Sequence, residues 1–109
     1  MFTSKALNKH IHSFLTSLEQ DGFHVHKAIL FGSYASGKPK KNSDIDLAVW
    51  LLNNPEKHYS EIPVLLHIIS SHHPIRPVFY DYNETKKTDP FIEIIERTGK
   101  QILLPLQTS

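Results

Sequence analysis

Apolar residues in the first part of the chain recur at a helical period. They are separated by intervals of four, three, one and three residues, which places the set on one face of an amphipathic helix. The members are Leu7, Ile11, Phe14, Leu15 and Leu18. Gly22 follows, and glycine is typical of a helix end. The pattern therefore predicts a helix that packs this face on a core and ends at Gly22.

Three shorter apolar runs predict β-strands. The runs are residues 25–31, 44–52 and 75–82. An Asn-Asn-Pro segment at residues 53–55 breaks the second run. Pro77 lies in the third run, and because proline removes a backbone donor, that strand is expected at an edge or with an irregular start. The Gly/Ser/Lys-rich residues 32–43 connect the first two strands and are expected to open with a helical turn at Ser33.

Two further helices and a short tail complete the prediction. Ser60 is a plausible N-cap for a helix that runs to residue 71, and Asp89 and Pro90 are typical of the start of another, which Gly99 ends. The predicted apolar faces are Ile62, Leu65, Leu66 and Ile69 in the first helix, and Phe91, Ile94 and Ile95 in the second. Residues 102–104 are expected to pack back as an extended tail.

Composition limits the protein to one modest core and excludes several classes. The 109 residues are 39% hydrophobic, which predicts a single domain. Twelve basic and 11 acidic side chains give a net charge of +1, so direct nucleic-acid binding is not expected. The chain has no cysteine, no apolar run of bilayer-spanning length and no secretory signal pattern at its start. These features are compatible with a cytoplasmic protein without a membrane association.

Two aspartates separated by one residue open the second predicted strand. Because side chains alternate along a strand, Asp44 and Asp46 share one face while the apolar residues of the strand point to the core. Neighbouring ionised carboxylates repel each other, and a cation between them removes that cost. The pair is interpreted as a magnesium site. A solvated strand face with two acidic side chains is the alternative.

A glycine-serine turn precedes the aspartates by about a dozen residues. Gly32 allows close backbone approach, and the N–H groups of such a turn, with the Ser33 hydroxyl, can bind phosphate oxygens. Taken alone, the turn would be an ordinary strand-to-helix connection; joined to the aspartates, it indicates a nucleotide site. Residues 32–38 also fit the P-loop string, but Pro39 follows where a P-loop needs Ser or Thr. The P-loop interpretation is therefore disfavoured.

The segments Leu-Phe-Gly-Ser-Tyr-Ala-Ser-Gly (residues 30–37) and Ser-Asp-Ile-Asp-Leu (residues 43–47) carry a family resemblance. They resemble the signature of the DNA polymerase beta-like nucleotidyltransferase superfamily, and more closely its minimal nucleotidyltransferase (MNT) group. The resemblance implies an α/β (α+β) nucleotidyltransferase fold with a small mixed three-stranded sheet backed by helices. It also implies one minimal nucleotidyltransferase domain over residues 1–109.

The resemblance implies a catalytic and metal-binding set of three carboxylates. Asp44 and Asp46 would bind Mg²⁺, with ATP as substrate, and a third carboxylate would come from the strand after the intervening helix. Asp81 is the candidate, because residues 81–84 (Asp-Tyr-Asn-Glu) nearly match the Asp-x-x-Asp of that strand in MNT proteins. Asp81 lies about one residue from the place that close relatives would give it. A strand-end surface residue is the alternative.

The residues beside the glycine-serine turn and on the loop after it are candidates for nucleotide contacts, and the resemblance implies a partner. Gly32 and Ser33 would bind the triphosphate, Tyr34 could touch the nucleotide, and Lys41 could neutralise phosphate charge unless it belongs to a solvated loop. The usual partner in the MNT group is a small helical HEPN protein, a toxin that the MNT antitoxin adenylylates within a hetero-oligomer. Two alternatives stay open: a non-catalytic nucleotide-binding subunit that neutralises its HEPN partner by contact, and a small-molecule nucleotidyltransferase.

Overall fold

Helices and strands alternate along the chain in a computed structural model, which describes residues 2–52, 62–82 and 89–103. The elements are α1 (Ser4–Gln20), β1 (Val25–Phe31), α2 (Ser33–Ser36), β2 (Ile45–Leu51), α3 (Ile62–Ser71), β3 (Ile75–Asp81), α4 (Pro90–Thr98) and β4 (Lys100–Gln101). Four predicted features lie outside the described residues: the break at residues 53–55, the N-cap at Ser60, the Asn83-Glu84 end of the carboxylate pattern, and Leu104. None of the helices in the described part is long and apolar enough to cross a membrane.

A mixed sheet organises the described residues, with the strand order β3-β2-β1-β4. β1 is antiparallel to both of its neighbours, whereas β2 and β3 run parallel. The predicted fold class is confirmed, with four strands in place of the three expected. The additional strand, β4, forms because Gly99 ends α4 beside β1, and the Ile102 N–H then donates to the Ala28 carbonyl at 2.8 Å.

The main core lies between one face of the sheet and the helices α1 and α3. All five residues of the predicted α1 face are buried there. At the start of α1, the Thr3 hydroxyl accepts a hydrogen bond from the Ala6 N–H at 3.1 Å. After α1, Gly22 has a φ of 91°, and the Phe23 N–H donates to the Leu18 carbonyl at 2.9 Å. The predicted helix end at Gly22 is confirmed.

The apolar faces of α3 and α4 differ from those predicted. In α3 the buried residues are Leu65 and Ile68, three positions apart, while Leu66 is 60% exposed because one residue turns the helix by about 100°. In α4 only Ile95 is buried against the opposite face of the sheet, and Ile94 is 47% exposed. Phe91 is also exposed, although its ring makes an edge contact with Phe31.

The starts of β2 and α4 follow the sequence closely. The Asp89 carboxylate accepts from the Phe91 N–H at 2.9 Å, with Pro90 in the first turn, as predicted for the α4 cap. Asp44 directly precedes β2, whose apolar residues are buried on both faces of the sheet. The Ile45 N–H donates to the Pro74 carbonyl at 3.0 Å, which fixes the start of β2 against the start of β3. That end of the two parallel strands carries the candidate site.

Candidate functional site

A tight turn places Asp44 at the entrance of β2. The Lys40 N–H donates to the Ser43 hydroxyl at 2.7 Å, and the Ser43 N–H donates back to the Lys40 carbonyl at 3.0 Å. This reciprocal pair closes the connection between α2 and β2. Asp44 and Asp46 follow with one buried residue between them, and their side chains are 37% and 23% exposed. Both carboxylates can therefore be reached from solvent, as a metal or nucleotide site requires.

Gly32 lies directly against the Asp46 carboxylate. Phe31 is paired with Asp46 across the antiparallel β1–β2 ladder, and Gly32 follows as the cap of α2 with φ 76° and ψ −152°. A Cβ built on Gly32 would overlap Asp46 Oδ2 and lie 3.1 Å from its Cγ. Glycine is needed here for two reasons: its backbone conformation is one that L side chains rarely adopt, and the carboxylate occupies the space of a side chain.

Arg76, on β3, contacts both carboxylates. Its Nη2 lies 3.1 Å from Asp44 Oδ2, and its Nε lies 3.5 Å from Asp46 Oδ1. The parallel β2–β3 register pairs Arg76 with Asp46, so the two side chains leave the sheet side by side. The sequence interpretation did not identify Arg76. The available signal was its position one residue after the start of β3, which matches the position of Asp46 in β2.

Burial, neighbouring positive charge and neighbouring negative charge compete at Asp46. The partial burial of its carboxyl is the largest effect and raises the pKa of Asp46 above its usual value. The charge and hydrogen bonding of Arg76 lower this pKa, while the charge of Asp44 raises it. The net pKa is raised, so Arg76 does not fully offset the cost of a charged Asp46 at this place. An additional positive charge at the pair would be stabilising.

Asp81 is not brought to the carboxylate pair. It ends β3 and is paired with Leu51, whereas Arg76 is the residue paired with Asp46. Five positions along a strand correspond to about 16 Å at about 3.3 Å per residue. Among the residues that the structure describes, no group of three or more His, Cys, Asp or Glu side chains is arranged to hold a metal ion. The three-carboxylate set expected from the sequence is therefore not assembled.

The expected nucleotide-contact residues fall into two groups. Gly32 lies against the Asp46 carboxylate, and Ser33 follows it at the start of α2, whose first turn is closed by the Gly32 carbonyl accepting from the Ala35 N–H at 3.1 Å. Lys41 is exposed in the turn before Asp44. Tyr34, in contrast, is buried in the main core, where its hydroxyl accepts from the Phe2 N–H at 3.2 Å. Its ring is buried and packs against the apolar side chains of the main core.

A cavity of about 440 Å³ adjoins the charged residues on the β3 side. Asp44 and Arg76 contribute its polar wall. The remaining lining is mainly apolar and comes from the end of α3 and from β3: Ile69, His73, Pro74, Ile75, Pro77 and Phe79. An apolar cleft beside a few charged groups is the usual form of a small-molecule site.

Comparisons with known proteins bear on the family. No curated protein matches the chain. Among solved structures, it is similar to the toxin-antitoxin MntA-HpeT in a mutant crystal structure, with 19% identity, a TM-score of 0.49, and coverage of 82% of this chain and 68% of that one. That likeness adds nothing to the site geometry. The family model described as polymerase beta, nucleotidyltransferase matches residues 10–105. This match confirms the family expected from the glycine-serine and aspartate segments: the chain belongs to the polymerase beta nucleotidyltransferases.

Proposed function

We propose that this protein is a Mg²⁺-dependent nucleotidyltransferase that transfers AMP from ATP to a protein acceptor. The family supports the reaction class, nucleotidyl transfer. The observation that carries the proposal for this chain is the close fit of Gly32 on the Asp46 carboxylate, beside Asp44 and at the start of α2. A strand face with two ordinary surface aspartates would not require a glycine against one of them.

The donor set fits one magnesium ion. Carboxylate oxygens are the ligands that Mg²⁺ takes in proteins, usually one or two together with substrate phosphates. Asp44 and Asp46 supply two carboxylates that are accessible to solvent. A magnesium ion held there supplies positive charge against the triphosphate. The described residues supply no third carboxylate to complete a two-metal site.

The remaining roles fall to the residues around the pair. Backbone N–H groups and the Ser33 hydroxyl would bind the phosphates of ATP, and Lys41 would add positive charge from the adjoining turn. In the reaction, the acceptor hydroxyl forms a bond to the α-phosphorus and loses its proton to solvent. The bond from the α-phosphorus to the bridging oxygen breaks, and pyrophosphate leaves. The chain would thus position ATP while a partner brings the acceptor.

The partner is proposed from the MNT resemblance. A small helical HEPN protein would bind as toxin in a hetero-oligomer, and transfer of AMP to it would silence it, which makes this chain the antitoxin.

A second function is favoured by Arg76. Because an arginine lies beside Asp46 and Asp81 is displaced, the chain could serve as a non-catalytic nucleotide-binding subunit that neutralises the same partner by contact.

Intact-mass spectrometry of the partner that co-purifies with this protein tests the two functions. The complex is incubated with ATP and Mg²⁺, and the Asp44→Asn and Asp46→Asn variants serve as controls because they keep side-chain shape and remove charge. Transfer is supported if the partner gains the mass of one or more AMP groups with the wild type and gains none with either variant. An unchanged partner mass in an intact complex contradicts transfer and favours neutralisation by contact. If both variants still suppress the activity of the partner, that result also favours neutralisation by contact.

A further inference from the structure

Arg76 occupies the one register position on β3 that faces the aspartates. The parallel ladder pairs it directly with Asp46, and Pro77 and Ile75 beside it point to the other face of the sheet. Residues two positions further along β3 are displaced by about 6.6 Å. Position 76 is therefore the position on β3 that the register places nearest to Asp46, and this chain has a cation there.

The guanidinium bridges the two carboxylates. It approaches one oxygen of Asp44 at 3.1 Å and one oxygen of Asp46 at 3.5 Å, while its own side chain is 67% exposed. A planar guanidinium presents several donors in a fixed geometry and suits paired carboxylate oxygens. The positive charge is thus located between the same two groups that a metal ion would use.

We propose that Arg76 is the resident counter-ion of the Asp44–Asp46 pair, and that a divalent cation binds to the pair only by displacing its guanidinium. This inference rests on the proposed function, because it takes the pair as the metal site. Two consequences follow. Arg76 balances one of the two negative charges of the pair without metal, so the folded state needs no divalent ion for that part of the charge. The affinity for a divalent ion is lowered, both by competition for the same oxygens and by repulsion from the displaced arginine.

Manganese binding tests the competition directly. Mn²⁺ is titrated into the wild type, Arg76→Gln and Arg97→Gln, and free Mn²⁺ is measured by its electron paramagnetic resonance signal. Arg97, in α4, is the other arginine of the chain and provides the matched control. Because Arg76→Gln removes both the competition for the carboxylate oxygens and the repulsion between the arginine and Mn²⁺, this variant is expected to bind Mn²⁺ about tenfold more tightly. Arg97→Gln should bind as the wild type does.

Equal Mn²⁺ affinity in the wild type and Arg76→Gln would overturn the competition, and so would the absence of binding to every variant. Arg76→Lys provides a second variant that keeps the charge, and it should bind Mn²⁺ more weakly than Arg76→Gln.

Thermal unfolding gives the second readout. With a chelator present, Arg76→Gln should unfold about 2–5 °C below the wild type, and Mg²⁺ should close that difference. A difference that Mg²⁺ does not reduce would contradict the counter-ion role.

The outcomes separate this inference from the proposed function. Tighter Mn²⁺ binding by Arg76→Gln without AMP transfer in the wild-type complex would contradict the proposed function and leave the inference standing. AMP transfer by the wild type with no change in Mn²⁺ affinity in Arg76→Gln would contradict only the inference.

Discussion

Gly32 is the residue on which the geometry of the site depends most directly. Its backbone has φ 76° and ψ −152°, and the Asp46 carboxylate fills the space where a Cβ would be. Gly37 provides a matched comparison, because it has nearly the same φ, 77°, with nothing within 4 Å of a built Cβ. The two glycines therefore share a positive φ, and they differ in ψ and in whether a carboxylate lies against them.

We expect Gly32→Ala to reduce divalent-ion affinity at least about tenfold, because the new methyl group must push Asp46 out of place. It should also lower the free energy of unfolding by about 1–3 kcal/mol through backbone strain. Gly37→Ala should cost about 1–2 kcal/mol and leave the affinity unchanged. Mn²⁺ titration and urea unfolding measure the two effects. Equal Mn²⁺ affinity in both variants would show that the contact with Asp46 is dispensable.

The sequence could predict which site residues lie together only where those residues are close to one another on a single strand. Asp44 and Asp46 are adjacent on one face because the pleat of a single strand fixes that relation, and Gly32 was found through its turn chemistry. Asp81 and Arg76 lie on a second strand, and the register between two strands depends on packing and connections that the sequence does not reveal directly. Tyr34 lies in the main core, and the short polar segment around it gave no sign that its ring turns inward.

At the scale of elements, α4 shows where periodicity predicts a helix and misplaces its face. The cap at Asp89, the proline after it and the end at Gly99 were all predicted correctly. Three isoleucines within four residues, at positions 92, 94 and 95, leave the buried face of the helix undecided. In the structure Ile95 is buried against the sheet and Ile92 is partly buried. β4 was missed because it has only two residues, both polar, and forms through pairing with β1.

Ile94 and Ile95 allow the docking of α4 to be tested with neighbouring residues of the same type. Ile95 is 1% exposed and Ile94 is 47% exposed. Ile95→Ala should lower the free energy of unfolding by about 2–5 kcal/mol, because it removes a buried side chain and leaves a cavity against β1 and β2. Ile94→Ala should change it by less than about 1 kcal/mol, since an exposed position gains helix propensity and loses little packing.

Chemical denaturation followed by circular dichroism measures both isoleucine variants. The comparison is internal, because the two substitutions have the same composition and lie on the same helix. A similar loss of stability in both variants would mean that α4 packs through a wider face, as the sequence pattern alone indicated.

For the whole molecule, the aspartates, Gly32 and Arg76 come from three different parts of the chain that the sheet brings together. The starts of β2 and β3 and the end of β1 meet at one end of the sheet, so the site exists only when all three strands are paired. A ligand that binds this site therefore binds the folded state and not the unfolded chain. Binding should raise global stability through mass action.

We expect Mg²⁺ with ATP to raise the thermal unfolding midpoint by about 10 °C at a hundredfold excess over the dissociation constant, which corresponds to about 2.7 kcal/mol. Asp46→Asn should lose this shift, because it removes one charge of the proposed metal site. Asp81→Asn should retain it, because the strand register places Asp81 away from the pair. Differential scanning fluorimetry measures all three proteins with and without the ligand. A shift that Asp81→Asn loses as completely as Asp46→Asn would mean that the two carboxylates act together, and the β2–β3 register would then have to change when nucleotide binds.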